Sequence, residues 1–212
     1  MLTIYGNKTF NVVKVVMAAE EIGLDYEYKM IDFTTGEMKS PEYLKIHPFG
    51  KVPAIEHNGT AIVESNNICR YLANIGGKKL YSDDPLAAAK IDEMIDFIGY
   101  HAGHTITTYF YQEIVKKAFH KAEPNKDSIA KAKETLDGQL PFIDEKLGST
   151  EFICGDNITI ADCVAFGMVM VHEYTSLDIS EYENICRWYD MMKQRPSYAA
   201  MMEHIPGGYD FG

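Results

Sequence analysis

The apolar residues of this chain follow a mixed short-period pattern up to about residue 75 and a long helical one beyond residue 85. Residues 2–5 form a short apolar run that reads as a strand. Over residues 10–22, Val12, Val13, Val16 and Met17 recur at the three- and four-residue spacing of a helix face, and Gly23 is the residue expected to stop it. Residues 26–31 return to a strand, and a strand, helix, strand order this short predicts a parallel crossover. A short helix is expected over 39–46, with Pro41 in its first turn, where an amide hydrogen is not needed.

The most informative stretch is 47–72, HPFGKVPAIEHNGTAIVESNNICRYL. Pro53 has no amide hydrogen and suits the first residue of a strand or a bulge, so Val52-Pro53 marks a bend where a ligand's backbone can pair. Asn58-Gly59 between two apolar runs is the strongest short hairpin signal. Ser65 is then placed to cap a helix over 66–74, with amides and a hydroxyl aimed at anything anionic. The resulting order, β-α-β-α-β-β-α, is that of an α/β thioredoxin-like domain.

The polar, turn-rich segment GGKKLYSDDP at 76–85 is the natural boundary. Beyond it the periodicity predicts helices over 86–117, 127–147, 159–175 and 182–194 and a short one after Pro196. Thr159 and Asp162 have the spacing of a capping box. The expected organisation is an α/β domain at 1–77, a linker at 78–85 and an all-α domain at 86–212.

Composition narrows the function. With 46% hydrophobic and 24% charged residues the chain is an ordinary globular protein rather than a disordered one. Of the net charge of −11, none falls in the first 80 residues, where nine Lys/Arg balance nine Asp/Glu; the rest carries 11 basic against 22 acidic residues. That acidic second half argues against nucleic acid or an acidic membrane surface as partner, and places any anionic small ligand on the balanced first half. The start has no basic segment followed by an apolar one, and no run has the length of a membrane span, so a cytoplasmic location is expected. Cys69, Cys154, Cys163 and Cys186 form no CxxC pair and no metal-ligand spacing, and read as buried thiols.

Four segments in order, TGEMKSPEYLKIHPFGKVPAI, VESNNICRYL, FICGDNITIADC and ICRWYDMMKQRPSYAAM, resemble the cytosolic glutathione transferases over nearly the whole chain. The resemblance implies the glutathione transferase fold, glutathione as co-substrate with no further cofactor, a helical domain shaping the site of a second substrate, and a homodimer. It also implies roles residue by residue. Val52 beside a cis Pro53 is expected to pair its backbone with the cysteinyl part of glutathione. Glu64 and Ser65 are expected at the γ-glutamyl end, and Lys39 and Lys51 near the glycyl carboxylate. Where a plant Phi-type pattern often has histidine, this chain has Met38. Phe49 falls where relatives place an aromatic anchor for the partner subunit.

The thiolate of glutathione is the nucleophile, so a hydroxyl donor near sulfur favours the reactive form. The TFNVVK segment is similar to the S-x-N-x-x-R/K of Phi-like members, which implies Thr9 as that donor, and to the Thr-x-Asn of the Nu class, which adds Asn11. Two other readings stand beside it: Thr9 as a plain helix cap, and Tyr5 as the donor, though strand alternation turns Tyr5 toward the core. Helical spacing gathers His101, His104, Thr105 and Thr108 with neighbouring aromatics on one helix side, where the resemblance implies the pocket for a small hydrophobic electrophile. The two histidines lack a third metal ligand. Conjugation of hydrophobic electrophiles is the leading expectation. A glutathione-dependent disulfide or peroxide reductase of Nu type and a non-enzymatic glutathione-binding module are the alternatives; with no cysteine in the first 68 residues, a redox cycle would have to run on bound glutathione.

Overall fold

In the computed structural model, which describes residues 1–211, the chain starts with β1 (Leu2–Gly6), α1 (Phe10–Ile22) and β2 (Glu27–Met30). β2 runs parallel to β1, as the crossover requires. Next come α2 (Pro41–Ile46), β3 (Ala54–His57), β4 (Thr60–Ile62) and α3 (Ser65–Ile75). The sheet order is β2-β1-β3-β4, with β3 antiparallel to both its neighbours. Asn58 and Gly59 join β3 to β4 with φ of 52° and 80°, the pair of positive angles that a two-residue type I′ turn demands.

α1 is the hub. Val12, Val13, Val15, Val16, Met17 and Ala18 are all fully buried, because the helix has α3 on one flank and the helical half on the other. A helix buried all round needs no polar face. Gly23 stops it with φ 78°, its amide returning to Ala19 and Glu20.

The helical half contains α4 (Pro85–Phe97), α5 (Gly103–Tyr109), α6 (Lys126–Asp137), α7 (Leu140–Ser149), α8 (Ile160–Val169), α9 (Glu183–Lys193) and α10 (Pro196–His204). The helix expected over 86–117 is a single rod, but it widens to π-helical turns at Ile98–Ala102 and Phe110–His120. The helix expected over 127–147 is two. Gly138 and Gln139 separate them, and Pro141 sits in the first turn of α7, where its missing amide hydrogen breaks no ladder. α8 packs so closely on α1 that a Cβ on Gly167 would meet the Phe10 carbonyl oxygen at 2.4 Å.

Two polar ties fix the helical half. Asp162 closes the expected capping box and, fully buried, accepts from the amides of Thr159 (2.8 Å) and Ile153 (2.9 Å) and from Trp188 Nε1 (3.1 Å). Glu21, at the end of α1, accepts from Arg195 Nε and Nη2 at 2.5 and 2.8 Å and from the Ser197 hydroxyl, which joins it to α10. One apolar cluster runs from Ile4 and Leu72 through Cys163 to Phe166 and Trp188, each large side chain contributing about 1.5–3 kcal/mol by its burial. No described helix is long and apolar enough to cross a membrane.

Candidate functional site

The loop between β1 and α1 is held by Asn7. Its Nδ2 donates to Ile31 O at 2.5 Å, its Oδ1 accepts from Lys8 N at 2.6 Å, and its carbonyl accepts from Thr9 N at 2.7 Å. Thr9 is thereby fixed at the N-cap of α1, with φ −138° and ψ 150°, and its Oγ1 accepts from Val12 N at 3.3 Å. A cap consumes one lone pair. The hydroxyl hydrogen stays available to a further acceptor, so capping and donation are compatible. Tyr5 lies elsewhere: it is half-buried on the sheet face that meets α2, edge-on to Tyr43 with ring centroids 6.0 Å apart, rather than in the core as strand alternation suggested. Burial pushes its phenol pKa up.

α3 starts one residue earlier than expected. Glu64, not Ser65, occupies the cap position, with φ 68° and ψ 106° and no side-chain cap bond. That conformation costs a non-glycine residue of order 1–3 kcal/mol. Ser65 is the first helical residue, and its hydroxyl donates to Asn11 Oδ1 at 3.1 Å instead of capping. The first-turn amides of α3 have no intrahelical acceptor, which leaves them for an anion.

Beside these helix starts, the Val52-Pro53 bond is cis and Pro53 immediately precedes β3. The loop leading to it is braced from behind. Tyr43 donates its phenol to Lys51 O at 2.8 Å, and Lys39 Nζ donates to Phe49 O at 2.9 Å. Gly50, with φ 57°, fits where a Cβ would strike the Met38 carbonyl oxygen at 2.1 Å. Lys51 and Phe49 are exposed, Phe49 to 67%.

A cleft of about 430 Å³ gathers Asn11, Lys14, Glu64 and Ser65 against Gly103, His104 and Thr107 of the helical half. Of the four residues expected to share one side of that helix, the structure divides the set. His104 lines both the cleft and a groove against α6, where Thr105 and Thr108 join it with Thr135; His101 lines neither and packs on Phe97 at 5.2 Å. The widened turn at Ile98–Ala102 lies within this stretch, and a regular 3.6-residue period does not foresee it.

A second hollow, about 370 Å³, is lined by Ile114, Tyr174, Tyr209 and Phe211 among others. Next to it Phe33, Phe119 and Phe211 form an aromatic set with centroid distances of 5.1–6.1 Å. Phe10 packs edge-on to Phe110 at 5.0 Å. Phe33, Phe110 and Phe119 were not singled out by sequence spacing, because they come from a loop and from the second widened turn. Tyr209 and Asp210, after α10, are anchored: Tyr209 is buried and donates to Gly167 O at 2.7 Å, and Lys8 Nζ donates to Asp210 O at 2.7 Å.

Two family descriptions match this architecture: "Glutathione S-transferase, N-terminal domain" over residues 1–74 and "Glutathione S-transferase, C-terminal domain" over 104–196. The chain belongs to the glutathione S-transferase family. Among solved glutathione transferases, a delta-class enzyme of Nilaparvata lugens is 28% identical with a TM-score of 0.84, covering 99% of this chain and 95% of its own. Glutathione transferase F2 of Populus trichocarpa is 27% identical with a TM-score of 0.87, covering 96% and 98%. A glutathione transferase homologue from Sulfitobacter, solved with glutathione bound, is 26% identical with a TM-score of 0.79, covering 96% and 97%. Among the described residues of this family member, no group of three His, Cys, Asp or Glu is arranged to hold a metal ion.

Proposed function

We propose that this chain is a glutathione transferase that joins the thiolate of glutathione to small hydrophobic electrophiles, with Thr9 donating its hydroxyl to the sulfur. The observation that carries the reading is the Ser65–Asn11 hydrogen bond, which joins the start of α3 to the start of α1 two residues from the Thr9 hydroxyl. In this reading the α3 amides, that of Ser65 among them, and Glu64 receive the γ-glutamyl end while the Ser65 hydroxyl stays on Asn11, the Val52 backbone beside Pro53 pairs with the cysteinyl unit, and Asn11 is a second contact near the thiol. Lys51 meets the glycyl carboxylate; Lys39, already engaged by Phe49 O, does so only by exchanging that bond. The electrophile enters beside Phe33, Phe119 and Phe211, next to the hollow lined by Tyr174 and Tyr209. Exposed Phe49 is the anchor of a homodimer, and the cytoplasm is the proposed location.

A disulfide reductase reading draws on the Thr9 and Asn11 pair. Burial pushes all four thiols up, Cys69 to about 12, the partly exposed Cys154 to about 11, and Cys163 and the partly exposed Cys186 above their ordinary value, so none is a thiolate at neutral pH and reduction would use glutathione alone. An ultraviolet titration of bound glutathione in wild type and Thr9→Val tests the thiol claim, and an unshifted thiol in wild type leaves only a binding module. Turnover of a chlorodinitrobenzene against that of hydroxyethyl disulfide decides between the two reactions.

A further inference from the structure

The cleft contains two cations of unlike standing. Arg70 is neutralised by Asp92 at 2.6 Å and Asp96 at 3.2 Å. Lys14 is only 2% exposed, and among the described residues it forms no ion pair; its Nζ donates to Asn66 Oδ1 at 2.7 Å. A buried ammonium whose hydrogen-bond partner is a neutral amide is destabilising to the empty fold, since burial removes its hydration and the charge of Glu64 reaches it without forming an ion pair. Asn66 directly follows Ser65 in the first turn of α3, and Ser65 is itself tied to Asn11, three residues before Lys14 on α1. A charge without an ion pair therefore stands at the helix start where an anion is best received.

We propose that Lys14 is a positioning residue for glutathione, its buried ammonium orienting Asn66 and supplying the positive charge that the ligand's α-carboxylate answers at Ser65. This rests on the glutathione reading of the cleft. The ionisable groups whose charge bears on Lys14 are Cys69 and Glu64, both brought by α3; the α8 side offers the uncharged backbone at Gly167. Burial pulls the Lys14 amine down to about 8, against Cys69 and Glu64, which raise it. An arriving carboxylate raises it further, so binding near pH 8 takes up protons.

The experiment compares wild type, Lys14→Met and Lys14→Arg by titration calorimetry with S-methylglutathione, which has no thiol to ionise. Buffers of different ionisation enthalpy at pH 8 report proton uptake, and urea unfolding is measured in parallel. Lys14→Met is expected to bind about tenfold or more weakly while folding at least as stably as wild type, because a buried charge is replaced by an apolar chain of similar length. The KM for glutathione rises with kcat changing much less. Lys14→Arg, which keeps the charge, restores binding to within about threefold of wild type and loses the extra proton uptake, since arginine does not titrate. Wild-type affinity in Lys14→Met overturns the proposal. So does a loss of binding in both variants that tracks a loss of stability, which is what a merely structural lysine gives. A wild type that does not bind S-methylglutathione overturns the glutathione reading itself.

Discussion

The Ser65 hydroxyl donates to Asn11 Oδ1 at 3.1 Å across 54 positions of sequence, so the first turns of α3 and α1 are locked face to face. Neither helix start makes a site alone. α1 brings a capping hydroxyl at Thr9, and α3 brings free amides after a backbone turned to φ 68° at Glu64.

Asn11→Ala removes the acceptor and leaves the part-buried Ser65 hydroxyl without it. The expected outcome is a loss of about 1 kcal/mol in urea unfolding and a rise of about tenfold in the KM for glutathione. Asn11→Asp keeps an acceptor but adds a negative charge beside the ligand's carboxylate. It should therefore fold as wild type and bind glutathione more weakly; tighter binding by Asn11→Asp would contradict an anion at Ser65.

Thr9 combines two tasks that one pair of variants separates. Thr9→Val keeps the shape and loses the oxygen, so it should cost about 1 kcal/mol through the lost cap. In addition the bound thiol should rise by about one to two pKa units, seen in the ultraviolet titration. Thr9→Ser should retain both. Lost stability with an unmoved thiol in Thr9→Val would reduce Thr9 to a cap.

Glu21 sets a pH dependence of the fold. Burial alone would raise its carboxyl, but hydrogen bonds from Arg195 and Ser197 and the Arg195 charge outweigh that and hold it below its ordinary value. A carboxyl lowered in the folded state contributes stability that is fully present above the unfolded pKa, about 4.3, and lost as pH falls through the folded one. Glu21→Gln should cost about 1.5–3 kcal/mol at pH 7 and flatten the acid limb of the stability curve. Unfolding midpoints in urea from pH 7 down to 3 measure both; an unchanged acid limb would assign it to other carboxylates.

The sheet half was legible because its signals are local. Val52-Pro53, Asn58-Gly59 and the apolar spacing of α1 each fix geometry within a few residues. Thr159 and Asp162 were readable for the same reason, although the reach of Asp162 to Ile153 and Trp188 was not. What failed was phase over distance. The rod from residue 85 to 120 contains two widened turns that leave hydrophobic content unchanged, so His101 was grouped with His104, Thr105 and Thr108 but falls outside the groove those three share, and of the four His104 alone also reaches the cleft beside α3. Lys14 is matched as the basic end of the TFNVVK pattern but given no role by it, because its burial is decided by α3, some 50 residues later.

Phe33, Phe119 and Phe211 come from a loop, a widened helical turn and the chain's tail, and meet with centroids 5.1–6.1 Å apart. Such a set has no sequence period, yet it adjoins the hollow lined by Asp210, whose carbonyl oxygen accepts from Lys8 Nζ. Phe119 is 40% exposed, so Phe119→Ala removes apolar contact with little loss of core. If the electrophile lies there, the variant should raise the KM for an aromatic electrophile about tenfold, the worth of roughly 1.4 kcal/mol of lost contact, and leave the KM for glutathione unchanged. Thr105→Val and Thr108→Val, which alter the groove against α6, should move neither constant. Steady-state kinetics with both substrates varied checks this, and the reverse pattern, with Thr108→Val impaired and Phe119→Ala unaffected, would return the electrophile to the α5 side.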